Sequence, residues 1–232
     1  LLVANDVNLT RCTTLVHNMG RLKNLHNEQS IVTSHPAQYL PLYEYMNGSK
    51  EKVIQKFDRV LCDVPCSGDG TLRKNPDASL KYSVENGTEL HPIQRAILIR
   101  GLRHLKPGGT LVYSTCSLNP IEDEAVINSV LVECKGTVRI KDVSTMFPEL
   151  KRSPGMSEWK VLSESKSPTM YSNYTPETEH ELSRAIDGIE HCMRFFPQLN
   201  DTGGFFVAVL TKISDDLDTI VQEPRLPHKP SF

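Results

Sequence analysis

The chain has 232 residues and a formal net charge of −2 at pH 7, a length that suits one domain with a sizeable core. No basic surplus exists, so nucleic-acid binding through an overall positive field is excluded, and any such binding must use a local patch or other parts of the protein. The residues show no secretory signal and no apolar stretch long enough to span a bilayer. The six cysteines form no CxxC pair, which points to free thiols in a reducing compartment and away from zinc.

Leu1-Leu2-Val3-Ala4 reads as a strand that stops at Asn5-Asp6. A helix follows, with Asp6 or Asn8 as its N-cap, Leu9, Cys12, Leu15, Val16 and Met19 on one face, and Arg21 and Lys23 at its basic end. Ser30-Ile31-Val32-Thr33 is a short strand, and residues 36–52 read as loop, punctuated by Pro36, Pro41, Asn47 and Gly48. Val53 to Val64 holds the next strand. Residues 67–90 are a long Gly- and Asn-rich excursion, and long loops in compact domains are usually functional. Pro92 opens a helix through Leu105, which Lys106-Pro107-Gly108-Gly109 stops. A strand to Ser114 comes next. Asn119-Pro120-Ile121-Glu122 then starts a helix that runs to about Cys134. Met193-Arg194-Phe195-Phe196-Pro197 and Gly204 to Leu210 read as a closing strand pair. The alternation of strand and helix predicts an α/β doubly wound, mostly parallel sheet, and the strand pair an antiparallel C-terminal edge. The expected domain spans 1–213 with an irregular insert at about 141–190, followed by a mobile tail at 214–232.

Two cysteines share a setting. Cys66 follows the apolar run Phe57-Asp58-Arg59-Val60-Leu61-Cys62-Asp63-Val64, and Cys116 follows Gly109-Thr110-Leu111-Val112-Tyr113-Ser114. Each run reads as a buried parallel strand ending in a small-residue turn. Ligands in open α/β sheets sit at the carboxyl ends of such strands, so both thiols are expected at one crevice beside Asp63. A free cysteine is more often a small core hydrophobe than a nucleophile, and that reading suffices for Cys12, Cys62 and Cys192, while Cys134 reads as a helix-end residue. Asp63 either holds a substrate heterocycle or caps the following loop. Asp6 is equally accounted for as an acid binding cofactor ribose hydroxyls or as a helix cap. His91 and His104 suit surface or capping roles, and Glu122-Asp123-Glu124 suits a helix N-terminus.

At these residues the chain resembles the Nop/Sun-type RNA cytosine-5 methyltransferases, most closely the eukaryotic branch acting on tRNA. Asp63-Val64-Pro65-Cys66-Ser67-Gly68-Asp69-Gly70-Thr71 is similar to that family's motif IV, and Ser114-Thr115-Cys116-Ser117-Leu118-Asn119-Pro120-Ile121-Glu122-Asp123-Glu124 to its motif VI and the helix that follows. Ala4-Asn5-Asp6-Val7 resembles the second cofactor segment, and Thr202 to Val209 the closing strand. The resemblance implies a Rossmann-like class I methyltransferase fold, S-adenosylmethionine as methyl donor, and RNA, in particular tRNA, as partner. It implies Cys116 as the nucleophile at cytosine carbon 6, Cys66 in product release, Asp63 at the cytosine's polar edge and near the cofactor, and Asp6 at the cofactor ribose. It implies no metal and no membrane, and a nuclear protein.

Two departures from the family pattern stand out. The Gly-rich turn that follows the family's first strand is absent, so an N-terminally truncated domain is expected, with the strand between Leu1–Ala4 and Val60–Val64 missing. Pro36 stands in Ser34-His35-Pro36-Ala37, where the family usually carries an adenine-contacting acid, and proline offers neither a side-chain acceptor nor an amide hydrogen. A rival reading is a non-catalytic RNA-binding or scaffold fragment that keeps the fold. A methyltransferase acting on an amino group would share the Asp and Pro but leave Cys116 without a role.

Overall fold

The computed structural model describes residues 1–21, 30–77, 83–159, 185–217 and 221. Strand β1 (Leu2–Asp6) leads into helix α1 (Leu9–Gly20), and β2 (Ser30–Ser34) returns to pair with β1 in parallel, Leu2 beside Ser30 and Asp6 beside Ser34. Asn8 is the N-cap of α1, its side chain accepting from the Arg11 amide at 3.1 Å. The apolar face expected on α1 stays mostly outside: Cys12 is buried, but Leu9 is 73% and Val16 57% exposed. Its sheet has two strands, too narrow a surface to cover a full helical stripe. Arg21 forms the C-cap, while Lys23 lies outside the described residues.

Residues 36–52 are more ordered than a loop. β3 (Tyr43–Met46) and β4 (Lys52–Gln55) form an antiparallel hairpin. Its turn is held by Asn47 Oδ1, which accepts from the amides of Ser49 at 3.0 Å and Glu51 at 2.9 Å. Asn-Gly between short strands is a hairpin signal as much as a loop signal. The run from Val53 to Val64 is broken at Lys56, leaving β4 and then β5 (Phe57–Asp63).

Helix α2 (Val84–His104) begins well before Pro92. Ser83 caps it, its hydroxyl accepting from the Asn86 amide at 3.3 Å, and Pro92 sits inside the helix. The Asn-Gly pair at 86–87 hides this first turn from a propensity reading. The rest of the 67–90 excursion is turn and a short 3₁₀ segment at Asp69–Thr71, with 78–82 outside the described residues.

β6 (Leu105–Thr115) follows α2 directly and pairs in parallel with β5, Val60 beside Leu111 and Asp63 beside Ser114. Helix α3 (Glu124–Glu133) starts two residues after Glu122, since residues 119–122 form a tight turn. Its end, Cys134, is fully buried. The remaining strands β7 (Val138–Ile140), β8 (Ser153–Pro154), β9 (Met193–Phe195) and β10 (Phe205–Lys212) are joined by antiparallel pairing, with β10 against β6. The order is β5-β6-β10-β9-β8, with β7 also on β10. The sheet is therefore mixed, and its antiparallel part extends beyond one edge. Of the irregular insert, 160–184 lie outside the described residues, as does most of the tail.

β1 pairs with β2 and β5 with β6, and the two pairs belong to separate sheets. Leu61 on the outer strand β5 is 69% exposed. The main core lies between α2, α3 and the larger sheet, where Leu98, Leu102, Tyr113, Val126, Phe206 and Leu210 are fully buried. Lys212, also fully buried, donates to the carbonyls of Leu102 at 3.2 Å and Leu105 at 3.0 Å, placing a cation at the end of α2 where the helix dipole favours it.

Candidate active site

Because β5 and β6 are parallel and in register at Asp63 and Ser114, the turns that follow them leave on the same side of the sheet. The turns carry Cys66 and Cys116 to a sulfur–sulfur separation of 3.3 Å, with both thiols free and half-buried. The backbone is knit across the gap. The Val64 amide donates to the Ser114 carbonyl at 3.1 Å, and the Gly70 amide to the Cys116 carbonyl at 3.0 Å. The Leu118 amide donates to Asp69 Oδ1 at 2.9 Å. A β-carbon on Gly70 would stand 2.6 Å from the Gly204 carbonyl oxygen and 2.7 Å from that of Cys116, so only glycine lets the two turns and β10 meet.

The two thiols differ in their hold on a proton. The hydrogen bond from the Cys66 thiol brings Cys116 down to about 7, and the same contact, reinforced by burial, pushes Cys66 well above the ordinary thiol range. The proton belongs to Cys66, the more buried of the two sulfurs, while Cys116 lines an open cavity. Cys116 is thus the thiolate-forming partner near neutral pH, the form that acts as nucleophile. The other cysteines are core residues. Cys12, Cys62, Cys134 and Cys192 are all buried, and burial raises Cys62 to about 12 and Cys134 to about 11.

Asp63 is exposed at the end of β5, where the Ser114 hydroxyl donates to it at 2.9 Å. Asp6 ends β1 in the other sheet. Its carboxylate accepts from the Asn8 amide at 2.8 Å and pairs with Arg11 at 2.7 Å. The structure therefore brings Cys66, Cys116 and Asp63 to one strand end and gives Asp6 local partners at the start of α1. Pro36 opens the turn after β2, its carbonyl accepting from the Tyr39 amide at 3.0 Å.

Several site residues are not legible as such in the sequence. Glu122, Asp123 and Glu124 do not form a solvated helix start; all three are fully buried. Arg194 on β9 grips Glu124 through two bonds of 2.6 and 2.5 Å and donates to the Leu118 carbonyl at 2.9 Å. Thr115 donates to Asp123 at 2.6 Å, and burial raises the Asp123 carboxyl well above the carboxylate range. The signal was present: a cation inside the apolar run Met193-Arg194-Phe195 requires a buried partner. His91 and His104 are also buried, against the expected surface roles. His91 donates to the Ile121 carbonyl at 2.7 Å, and His104 packs against the rings of Tyr43 and Phe57.

In front of Cys116 lies a cavity of about 760 Å³. Its walls include Thr71, Arg73, Lys74, Phe195, Gly204 and Phe205, so an apolar floor meets a basic rim. Arg73 pairs with Asp201 across the mouth at 2.5 Å.

The family model for the 16S rRNA methyltransferase RsmB/F matches residues 1–211. The chain belongs to this family. Among relatives of this RsmB/F chain, the multisite-specific tRNA:(cytosine-C(5))-methyltransferase trm4b of Schizosaccharomyces pombe is 44% identical, covering 97% of this chain and 35% of its own length. The tRNA (cytosine(34)-C(5))-methyltransferase of Drosophila melanogaster is 43% identical over 90% of this chain and 29% of its own. The RsmB/F chain spans about a third of the length of these curated relatives. The crystal structure of a methyltransferase homolog protein from Pyrococcus horikoshii aligns with a TM-score of 0.61 at 25% identity, covering 91% of this chain and 53% of that one. The Rossmann-like α/β reading holds.

Proposed function

We propose that this RsmB/F domain, taken as residues 1–213, methylates carbon 5 of cytosine in RNA, with tRNA as substrate and S-adenosylmethionine as donor. The observation that carries this reading is the pair of free thiols 3.3 Å apart at the carboxyl ends of parallel strands, one of them ionising at about 7 and open to a cavity. The Schizosaccharomyces and Drosophila relatives are tRNA cytosine-C5 methyltransferases by name, and they support the same reading.

Asp6 and Asp63 are the groups that would hold the donor. Asp6 has one oxygen bonded to the Asn8 amide and the other paired with Arg11, but a carboxylate offers about four acceptor positions, so ribose hydroxyls still fit there. Asp63 is exposed and free to face a ligand on the side away from Ser114. When bound, S-adenosylmethionine supplies an electrophilic methyl group on a sulfonium.

Cytosine carbon 5 is a poor nucleophile, so covalent catalysis divides one hard step into easier ones. The base must leave its stack to be reached, and the cavity before Cys116 gives it room. The Cys116 thiolate adds to carbon 6, and the electron pair of the 5–6 double bond makes carbon 5 nucleophilic. Asp63 accepts from the amino group; nitrogen 3 takes a proton from water as the adduct forms, donates it in a hydrogen bond to Asp63, and gives it back when the double bond re-forms. Carbon 5, so held, would bond to the donor's methyl group as the methyl–sulfonium bond breaks. Once the Cys116 charge is consumed in the carbon–sulfur bond, the hydrogen bond and repulsion that held the proton on Cys66 are gone, leaving burial alone to favour the thiol, and its proton can pass to water. The Cys66 thiolate then takes the proton from methylated carbon 5, the double bond re-forms, and Cys116 leaves as thiolate. The regenerated Cys66 thiol donates to it, restoring the starting pair.

Tritium transfer from labelled S-adenosylmethionine to tRNA tests this reading in the whole protein. Cys116→Ala abolishes transfer, and undiminished methylation would end the assignment. The resemblance to the eukaryotic branch extends the proposal to a nuclear site of action, which imaging of the tagged protein checks.

A further inference from the structure

Glu122 takes no part in the chemistry above, yet donors from three segments converge on its fully buried carboxylate. From the turn after β5, Ser67 donates through its amide at 2.8 Å and its hydroxyl at 2.5 Å. From the turn after β6, Ser117 donates at 3.0 Å and Asn119 at 3.4 Å. From α2, Gln94 donates at 3.0 Å while also holding the Pro65 carbonyl at 2.9 Å. Ser67 is the residue after Cys66, and Ser117 the residue after Cys116, so one carboxylate grips the neighbour of each thiol. Helix α2 leaves space for this cluster at Gly87, where a β-carbon would lie 2.2 Å from the side-chain Nδ2 of Asn119 and 3.2 Å from Glu122 Oε1.

A buried carboxylate is costly unless every contact is made, and apolar residues of like volume often pack as well. Packing alone therefore does not call for an acid here. Its distinguishing property is the ability to accept from both turns at once.

We propose that Glu122 is a positioning residue for the thiol pair: it locks the Cys66 and Cys116 turns together so that the Cys66 thiol stays in reach of the Cys116 sulfur. The role rests on Cys116 being the reactive thiol of the proposed function, but the register of the two sulfurs is measurable without RNA or methyl donor. The charged and titratable groups bearing on Cys116 are Cys66, Asp63 and Asp69, with Arg73, Lys74 and Asp201 across the cavity. Glu122→Gln alters none of them. It removes one negative charge, which by itself would lower the Cys116 titration. It also places N–H where Ser67 or Ser117 needs an acceptor, which separates the turns.

The test is alkylation of Cys116 by iodoacetamide in the intact chain, followed by peptide mass spectrometry across a pH series. The wild-type midpoint lies near 7. In Glu122→Gln it moves up toward the free-thiol value of about 8.5, and alkylation at pH 7 slows roughly tenfold. That direction is opposite to the charge effect, so lost register alone accounts for it. A folded Glu122→Gln protein with a lower Tm and an unmoved midpoint overturns the proposal, because a merely structural role does just that. Should Glu122→Gln fail to fold, Ser67→Ala deletes the 2.5 Å bond and is read the same way, an unmoved midpoint again overturning it. A wild-type midpoint near 7 in a protein that transfers no methyl group sinks the reaction and leaves the positioning role intact.

Discussion

The sulfur of Cys66 lies 3.3 Å from that of Cys116, though the residues are 50 positions apart. At that distance they share one proton, and removing the donor takes the hydrogen bond from the acceptor. Cys66→Ala therefore raises the Cys116 midpoint above about 7, read by the same alkylation series. If the proposed reaction is correct, this variant also stalls at release. A covalent RNA–protein adduct then survives a denaturing gel, and Cys66→Ala,Cys116→Ala gives none.

Arg73 and Lys74 are exposed on the rim of the cavity before Cys116. If the cavity takes a base as proposed, a lysine and an arginine beside it contact the phosphates, and each such contact steepens the salt dependence of binding. Replacing both with alanine weakens RNA binding and reduces the slope of log K against log salt by about one per lost phosphate contact. Fluorescence anisotropy with labelled RNA in the whole protein checks this, and an unchanged slope removes both residues from the RNA path.

Arg194 is almost fully buried and holds Glu124 in a two-bond grip, with Asp123 3.7 Å away. Arg194→Met leaves those acids without their cation. Breaking a buried pair from one side costs about 3–5 kcal/mol, a fall in Tm of roughly 10 °C for a domain of this size. Differential scanning calorimetry gives the value, and a loss near zero would show that the two-bond grip does not hold the fold.

Burial pushes His91 down to about 4. The unfolded chain takes up this proton near 6.5, whereas the folded chain refuses it until about 4, so acid favours unfolding. The neutral-histidine contribution is fully present above about 6.5 and is lost as pH falls toward 4, about 3 kcal/mol in all. His91→Asn keeps a donor for the Ile121 carbonyl and does not titrate, so its urea-unfolding free energy loses less than wild type across that window. Parallel curves for the two proteins would contradict the assignment.

The thiol turns and the strands beneath them were legible because short apolar runs closed by small residues are local patterns. Asp63, Cys66 and Cys116 could be named from them, and strand parallelism explains why they meet. α2 was harder to read, since Asn86-Gly87 concealed its capped first turn behind Pro92. The β3–β4 hairpin was hidden by loop-forming residues that also make hairpin turns. The burial of Glu122, Asp123 and Glu124 could not be read locally, because an acidic run at a helix start looks alike whether water or Arg194 faces it.

By itself, the sequence determined which thiols stand at strand ends, the α/β order of the elements, and the family to which the chain belongs, all set by patterns within about ten residues. Only the tertiary structure decided which thiol keeps the proton and that one buried carboxylate joins Ser67 to Ser117. Those relationships depend on desolvation and on hydrogen bonds between segments 50 or more residues apart, and neither exists until the chain has folded.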